Sequence, residues 1–143
     1  MLDRAISFAA QMHEGQFDKS EKPYILHPLA VMHMLQTDDV ELQCIAVLHD
    51  VIEDTDATLA DLFNLSMSAR VLDAVDRLTK FKGQSYEDYK EVVFSSRDAM
   101  RVKLCDLRHN SDLTRLKSVR EKDLTRVAKY AKFYSEIKER LNA

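Results

Sequence analysis

An all-α fold is what this sequence predicts, and three observations predict it. The 143 residues include only two glycines and two prolines, too few turn formers for a fold of many short strands. Apolar residues recur three and four apart along most of the chain, the period of helices with one buried face. A composition of 45% hydrophobic and 31% charged residues describes a soluble globular chain, long enough to bury a core without disulfides. The expectation is one domain over 1–143, a single compact multi-helix bundle.

Leu2, Ala5, Ile6, Ala9 and Met12 trace a first amphipathic helix that stops at Gly15. From Gly15 to Tyr24 no apolar period holds, and half of the chain's glycine and proline falls there, which predicts a loop of the length often given to function. The dipeptide His27-Pro28 then fits a helix start, with Pro28 at the first helical position and Leu29, Met32 and Leu35 inward. Asp38 or Asp39 caps a third helix carrying Val40, Cys44, Ile45, Leu48 and Ile52, and that helix is expected to deliver His49 and Asp50.

Thr58 with Asp61 forms a capping box, and Val71, Leu72, Val75 and Leu78 mark the next helix. After a break at Lys82-Gly83-Gln84, Ser85 caps a helix with Tyr86, Tyr89, Val92 and Val93. Ser96 or Asp98 starts another through Met100, Leu104 and Leu107, with Asp106 and Asn110 four apart. A long terminal helix follows Leu124, Val127, Ala131, Tyr134, Ile137 and Leu141.

The net charge of −3 is unevenly spread. Between Arg97 and Lys132 stand 11 Lys or Arg against 5 Asp or Glu, a local +6 that leaves −9 for the rest. Such a segment is either a solvated face or an attractor for a phosphorylated ligand. Nucleic acid is excluded as a partner, because no aromatic residues interleave with a basic stripe and the whole is acidic. Cys44 and Cys105 are isolated and read as core residues. Nothing resembles a signal peptide and no apolar run could span a bilayer, so a cytoplasmic protein without membrane contact is expected.

Chemistry concentrates in Ile45-Ala46-Val47-Leu48-His49-Asp50-Val51-Ile52-Glu53-Asp54-Thr55. On one continuous helix His49 and Glu53, and Asp50 and Asp54, would stand four apart on one face. Ionisable groups amid Val47, Leu48, Val51 and Ile52 are costly to bury unless paired or metal-bound, so the stretch reads as a metal site or as an acidic helix end. His27 and Asp106 on other elements could complete two imidazoles and two carboxylates, a donor set for Mn²⁺, Fe²⁺ or Zn²⁺. Each also has an ordinary reading, His27 as a helix cap and Asp106 as a salt-bridge partner of Lys103 or Arg108.

Four motifs in order, His13-x-Gly15-Gln16, Pro23-Tyr24-Ile25-x-His27-Pro28, Leu48-His49-Asp50-x-x-Glu53-Asp54-Thr55 and Lys103-Leu104-x-Asp106-x-x-His109-Asn110, resemble the HD-type hydrolase domain of the RelA/SpoT family. Small single-domain members, the metazoan SpoT homologues, share that pattern. The resemblance runs from His13 to Leu116 and implies an all-helical HD bundle that removes the 3′-pyrophosphate of ppGpp and pppGpp with one divalent ion, Mn²⁺. It implies His27, His49, Asp50 and Asp106 as metal ligands, and Glu53 and Asp54 as the catalytic pair that orients and deprotonates water. Lys19, Tyr24 and Asn110 would meet the nucleotide substrate, His109 would support the site, and His13 and His33 would lie outside it. The length leaves no room for a synthetase portion, which implies a hydrolase-only protein of unknown oligomeric state.

Two positions depart from the family pattern. Asp18 stands where an arginine commonly packs on the guanine base, and Leu113 where a threonine is common. An anion cannot replace a planar cation over a base. Hydrolysis of another nucleotide or phosphate ester, such as NADPH, therefore stays open beside alarmone hydrolysis, as does a non-catalytic helical binding module.

Overall fold

A helix apolar all round its circumference can only be a core helix, and Val40–Leu48 is that helix. Six of its nine residues are buried, Leu42 and Cys44 through Leu48. The computed structural model describes residues 1–143. In it nine α-helices follow one another: α1 (Leu2–Met12), α2 (Leu26–Met34), α3 (Val40–Leu48), α4 (Val51–Asp54), α5 (Leu59–Asn64), α6 (Ala69–Leu78), α7 (Tyr86–Phe94), α8 (Arg97–Asn110) and α9 (Glu121–Leu141), with a 3₁₀ turn at Leu113–Arg115. There is no strand, only an isolated bridge between Phe17 and Pro23.

α1, α2, α6 and α8 all pack on α3, and α9 closes over α8 and α7. The 25 buried apolar residues form one cluster. Burying a Leu or Ile side chain contributes about 1.5 to 3 kcal/mol, so α3 is the element whose loss the fold would least survive. Leu48→Ala alone should cost about 2 to 5 kcal/mol. No helix is long and apolar enough to cross a membrane.

The helix starts follow from their caps. Asp39 accepts from the Leu42 N–H, Thr58 and Asp61 bond reciprocally, and Ser68, Ser85 and Ser96 accept from Val71, Asp88 and Ala99. Each such cap contributes about 1 kcal/mol. α7 and α9 are held by Phe133, whose ring meets Tyr86, Tyr89 and Phe94 edge-on at centroid distances of 5.9, 6.4 and 5.6 Å.

Three expectations are corrected. α2 begins at Leu26 with Ile25 as its cap, so Pro28 is its third residue; a proline anywhere in the first turn lacks only an N–H that has no helical partner. α3 ends at Leu48, and His49-Asp50 form a break before α4 instead of riding on a continuous helix. On α9 the buried apolar positions are Phe133 and Ile137, while Leu124 and Ala131 face solvent. The packing stripe runs through Tyr130, Phe133, Tyr134, Ile137 and Leu141.

Candidate metal centre

The break after α3 has a visible cause. His49 Nδ1 lies 2.6 Å from the Ala46 carbonyl oxygen, the acceptor that the Asp50 N–H would use if the helix continued. With the imidazole donating to it, the helix stops, and α4 restarts with the Asp54 N–H bonded to the Asp50 carbonyl. Asp50 thereby turns its carboxylate inward beside the His49 ring. His27 arrives from the first turn of α2, closed by the His27 N–H donating to the Tyr24 carbonyl. Asp106 arrives from α8, flanked one turn back by Lys103 and one turn on by Asn110, whose nitrogens donate to it at 2.9 and 3.0 Å.

Both imidazoles present Nε2 to the cluster. His49 keeps its Nδ1 proton for the Ala46 carbonyl, which leaves Nε2 a lone pair in the neutral ring. His27 Nδ1 faces His109 Nδ1 at 2.7 Å, with the rings stacked at 5.0 Å. One proton must lie between the two nitrogens. Burial, with help from Arg115 and His27, presses the His109 pKa down to about 4. His109 is therefore neutral, and with its Nδ1 accepting from His27 Nδ1, the His27 Nε2 is left with a lone pair for binding.

The four donor atoms lie within 4.8 Å of one another. Around the ring, His27 Nε2 to Asp106 Oδ1 is 2.8 Å, Asp106 Oδ1 to His49 Nε2 3.3 Å, His49 Nε2 to Asp50 Oδ2 3.1 Å, and Asp50 Oδ2 to His27 Nε2 3.5 Å. Donors bound at about 2.1 Å to one divalent ion stand about 3.0 to 3.4 Å apart. The cluster has the size and the donors to hold one such ion. Burial disfavours charge on His49 and Asp106, but their mutual attraction wins: Asp50 and Asp106 hold His49 well above the usual imidazole value, and Lys103 with the two histidines holds Asp106 well below the carboxylate range. A cation entering the ring replaces that proton charge.

The remaining expected residues divide into two groups. Tyr24 donates to Asp50 Oδ2 at 2.5 Å and to Asp54 Oδ2 at 3.3 Å, tying the loop to the cluster. Asp54 thus borders the centre. Glu53 is not among the converging groups, and its Oε1 accepts from the Lys80 N–H at 2.7 Å. Partial enclosure raises the pKa of both carboxyls. For Glu53 the Lys80 N–H opposes that rise while Asp54 and Asp50 add to it; for Asp54 the Asp50 charge adds to it. His13 holds Gln16 through Nδ1 at 2.8 Å, and His33 is exposed on α2, so neither belongs to the cluster.

A cavity of about 270 Å³ adjoins the centre, and Lys19, Tyr24, His27 and Asn110 are among the residues that line it. Arg115, Arg126 and Tyr130 line it too, and sequence reading had singled out none of them. Their signal was the basic excess over 97–132, in which Arg126 and Tyr130 are one turn apart on α9. Asp18 lines the cavity without opposing a phosphate. Its Oδ1 accepts from the Ser20 and Lys22 N–H groups at 2.8 and 3.0 Å, and Oδ2 is 3.5 Å from Arg115 Nη2. Burial raises its pKa, but those N–H groups and Arg115 outweigh this and hold the carboxyl below its usual range. Asp18 is a fastener of its own loop. Its charge is engaged by those N–H groups and by Arg115, and Leu113 offers the cavity only an apolar wall.

The comparisons agree with this geometry. The HD domain family matches residues 5–137. The chain is 36% identical to the bifunctional (p)ppGpp synthase/hydrolase SpoT of Escherichia coli (strain K12), over 98% of this chain and 22% of that protein. It is 35% identical to the guanosine-3′,5′-bis(diphosphate) 3′-pyrophosphohydrolase of Haemophilus influenzae, over 85% of this chain and 19% of that one. It thus spans between 19% and 22% of the length of these two relatives. Among solved structures, a metazoan orthologue of SpoT that hydrolyses ppGpp superposes with a TM-score of 0.79 over 99% of this chain and 91% of that one, at 24% identity, a likeness of fold. Since the match covers nearly the whole length and contains all four residues of the cluster, the chain belongs to the HD domain family.

Proposed function

We propose that this chain is a metal-dependent pyrophosphohydrolase that removes the 3′-pyrophosphate of ppGpp and pppGpp, with one Mn²⁺ held by His27, His49, Asp50 and Asp106. The observation that carries the reading is the position of the two-histidine, two-carboxylate ring beside a cavity lined by Lys19, Arg115 and Arg126, which matches a metal centre to a polyphosphate. The names of the relatives, synthase/hydrolase and pyrophosphohydrolase, point to the same substrate. Mixed nitrogen and oxygen donors suit Mn²⁺. When bound, the ion supplies Lewis-acid activation of water and of the phosphoryl oxygens.

The protein's own groups do the rest. Lys19, Arg115 and Arg126 bind phosphate oxygens through charge-assisted hydrogen bonds. Asn110 orients Asp106 and faces the nucleotide. Asp54, held by Tyr24, and Glu53, held by the Lys80 N–H, position the attacking water and take its proton, and their raised pKa values strengthen them as bases. The water oxygen bonds to the phosphorus next to the ribose as the bond from that phosphorus to the 3′-oxygen breaks; the 3′-oxygen takes up a proton to become the hydroxyl, and pyrophosphate carries away the water oxygen.

One observation favours a second reading, hydrolysis of another nucleotide such as NADPH. Asp18 is folded into its loop and Leu113 is apolar, so neither position supplies the expected nucleotide contact. Turnover of ppGpp, pppGpp, NADPH and GTP with added Mn²⁺ separates the two. Pyrophosphate released from ppGpp with the highest kcat/KM is the expected result. Release of inorganic phosphate from NADPH, with ppGpp inert, would replace the first reading by the second.

A further inference from the structure

The outer face of α8, turned away from the metal centre, carries a second concavity. Its floor is apolar, formed by Leu35 at the end of α2, Leu104 on α8, and Tyr134 and Leu141 on α9, within a cavity of about 350 Å³. Its rim is cationic. Arg97, Arg101, Leu104 and Arg108 fall within about 60° of the helix circumference, so three guanidinium groups flank one apolar strip.

These arginines differ from others in the protein. Arg70, Arg77, Arg115 and Arg126 each have a carboxylate within reach. Arg97, Arg101 and Arg108 have none within 4.0 Å and donate no side-chain hydrogen bond, in a chain whose net charge is nevertheless −3. Guanidinium groups beside an apolar floor complement a ligand with an acidic head and an apolar body. A nucleobase would find little to read there, since the neutral polar groups of the lining are the Asn142 amide, the Tyr134 hydroxyl and the Cys105 thiol. The volume falls in the lower range of small-molecule sites.

We propose that this groove is a second ligand site, distinct from the metal centre, that binds a small amphipathic anion: a carboxylate, sulfonate or phosphate monoester on an aryl or alkyl body. The head group lies between Arg101 and Arg108, and the body covers Leu104 and Tyr134. The site carries its own reporter in Cys105, which lines the groove, while Cys44 is fully buried. Burial raises the Cys105 pKa against the pull of Arg108 and Arg101, so thiol labelling belongs at mildly alkaline pH.

The test uses the full chain with anilinonaphthalene sulfonate as the probe, its uncharged counterpart phenylnaphthylamine, and inorganic sulfate. The readouts are stoichiometry and the rate of maleimide labelling at Cys105, with Cys105→Ser to confirm the labelled thiol. We expect one sulfonate per chain and labelling slowed several-fold at saturation, with neither control compound giving protection. Arg101→Gln with Arg108→Gln should weaken the probe by at least about tenfold through lost charge-assisted contacts, at unchanged helicity. The ratio of labelling rates with and without probe is taken within each protein, because removing arginine alters the thiol itself. Equal protection in the double variant, or by the uncharged compound, overturns the proposal. Protection that rises with protein concentration in the absence of probe also overturns it, and assigns the groove to a second copy of the chain.

Discussion

Two polar clusters in this protein are built from similar residues and do opposite things. At the start of α3, Arg70 from α6 is gripped by Asp39, Glu41 and Asp98, five bonds of 2.8 to 3.1 Å in which every guanidinium nitrogen is used. At the end of α3, His27, His49, Asp50 and Asp106 converge on one point, with each ring's Nδ1 engaged elsewhere. The first cluster contains its own cation and is half open to solvent, Arg70 being 37% exposed. The second buries its histidines to 2 and 3% and turns two imidazole nitrogens and two carboxylate oxygens toward one point. A closed cluster stabilises; a convergent one has the geometry to hold an ion. Convergence of the donor atoms on one point is the mark that separates them, because buried donors are costly until something satisfies them.

The largest expected effect comes from breaking the convergent cluster. Asp50→Ala should abolish metal retention, read by elemental analysis, and cut turnover by at least about three orders of magnitude, the equivalent of several kcal/mol of lost Lewis-acid stabilisation. Far-ultraviolet circular dichroism should stay helical, since none of the four ligands belongs to the apolar core. Full metal occupancy in the variant would remove Asp50 from the ligand set.

Glu53→Gln sharpens the contrast inside the site. Metal content should be unchanged while kcat falls by about two to four orders of magnitude, as expected when a general base is lost. Near-normal kcat would reduce Glu53 to a tether for Lys80. The closed cluster should behave in the reverse way. Arg70→Ala should lower unfolding free energy by about 1 to 2 kcal/mol in urea melts, partial exposure discounting the ion pairs, with specific activity and metal content retained. Loss of metal there would erase the distinction between the clusters.

The smallest effect concerns the loop. Asp18→Ala removes the acceptor for two loop N–H groups and frees Arg115, so KM should rise by roughly 3- to 30-fold with kcat little changed. Asp18→Arg should behave the same way, because the loop loses its fastener before any stacking is gained. A lower KM in either variant would return Asp18 to the role of a charge facing the substrate.

Elements with local signals were legible in the sequence. The Thr58–Asp61 capping box and the caps at Asp39, Ser85 and Ser96 sit where side-chain chemistry alone puts them. The break at His49-Asp50 was not legible, since no glycine or proline marks it and its cause is a side chain taking a backbone acceptor. Phe133 was missed because three aromatic partners on α7, distant in sequence, decide which face of α9 is buried. In the site, the four convergent residues were named through the motif pattern, whereas Arg126 and Tyr130 fall beyond Leu116, where the recognised motifs end. The pairing of Asp106 with Lys103, read as an alternative to a place in the metal site, exists together with it: one oxygen faces Lys103 and the other the ring.

Gln16 joins two parts that chemistry treats separately. Its carbonyl oxygen meets His13 Nδ1 and its amide nitrogen donates to the Asp54 backbone carbonyl at 2.8 Å, while its own backbone carbonyl accepts from the Tyr24 N–H. The phosphate-facing loop and the end of α4 are thereby geared together. A change at Gln16 would therefore be felt on both sides at once, in the loop that lines the cavity and in the backbone that carries Asp54.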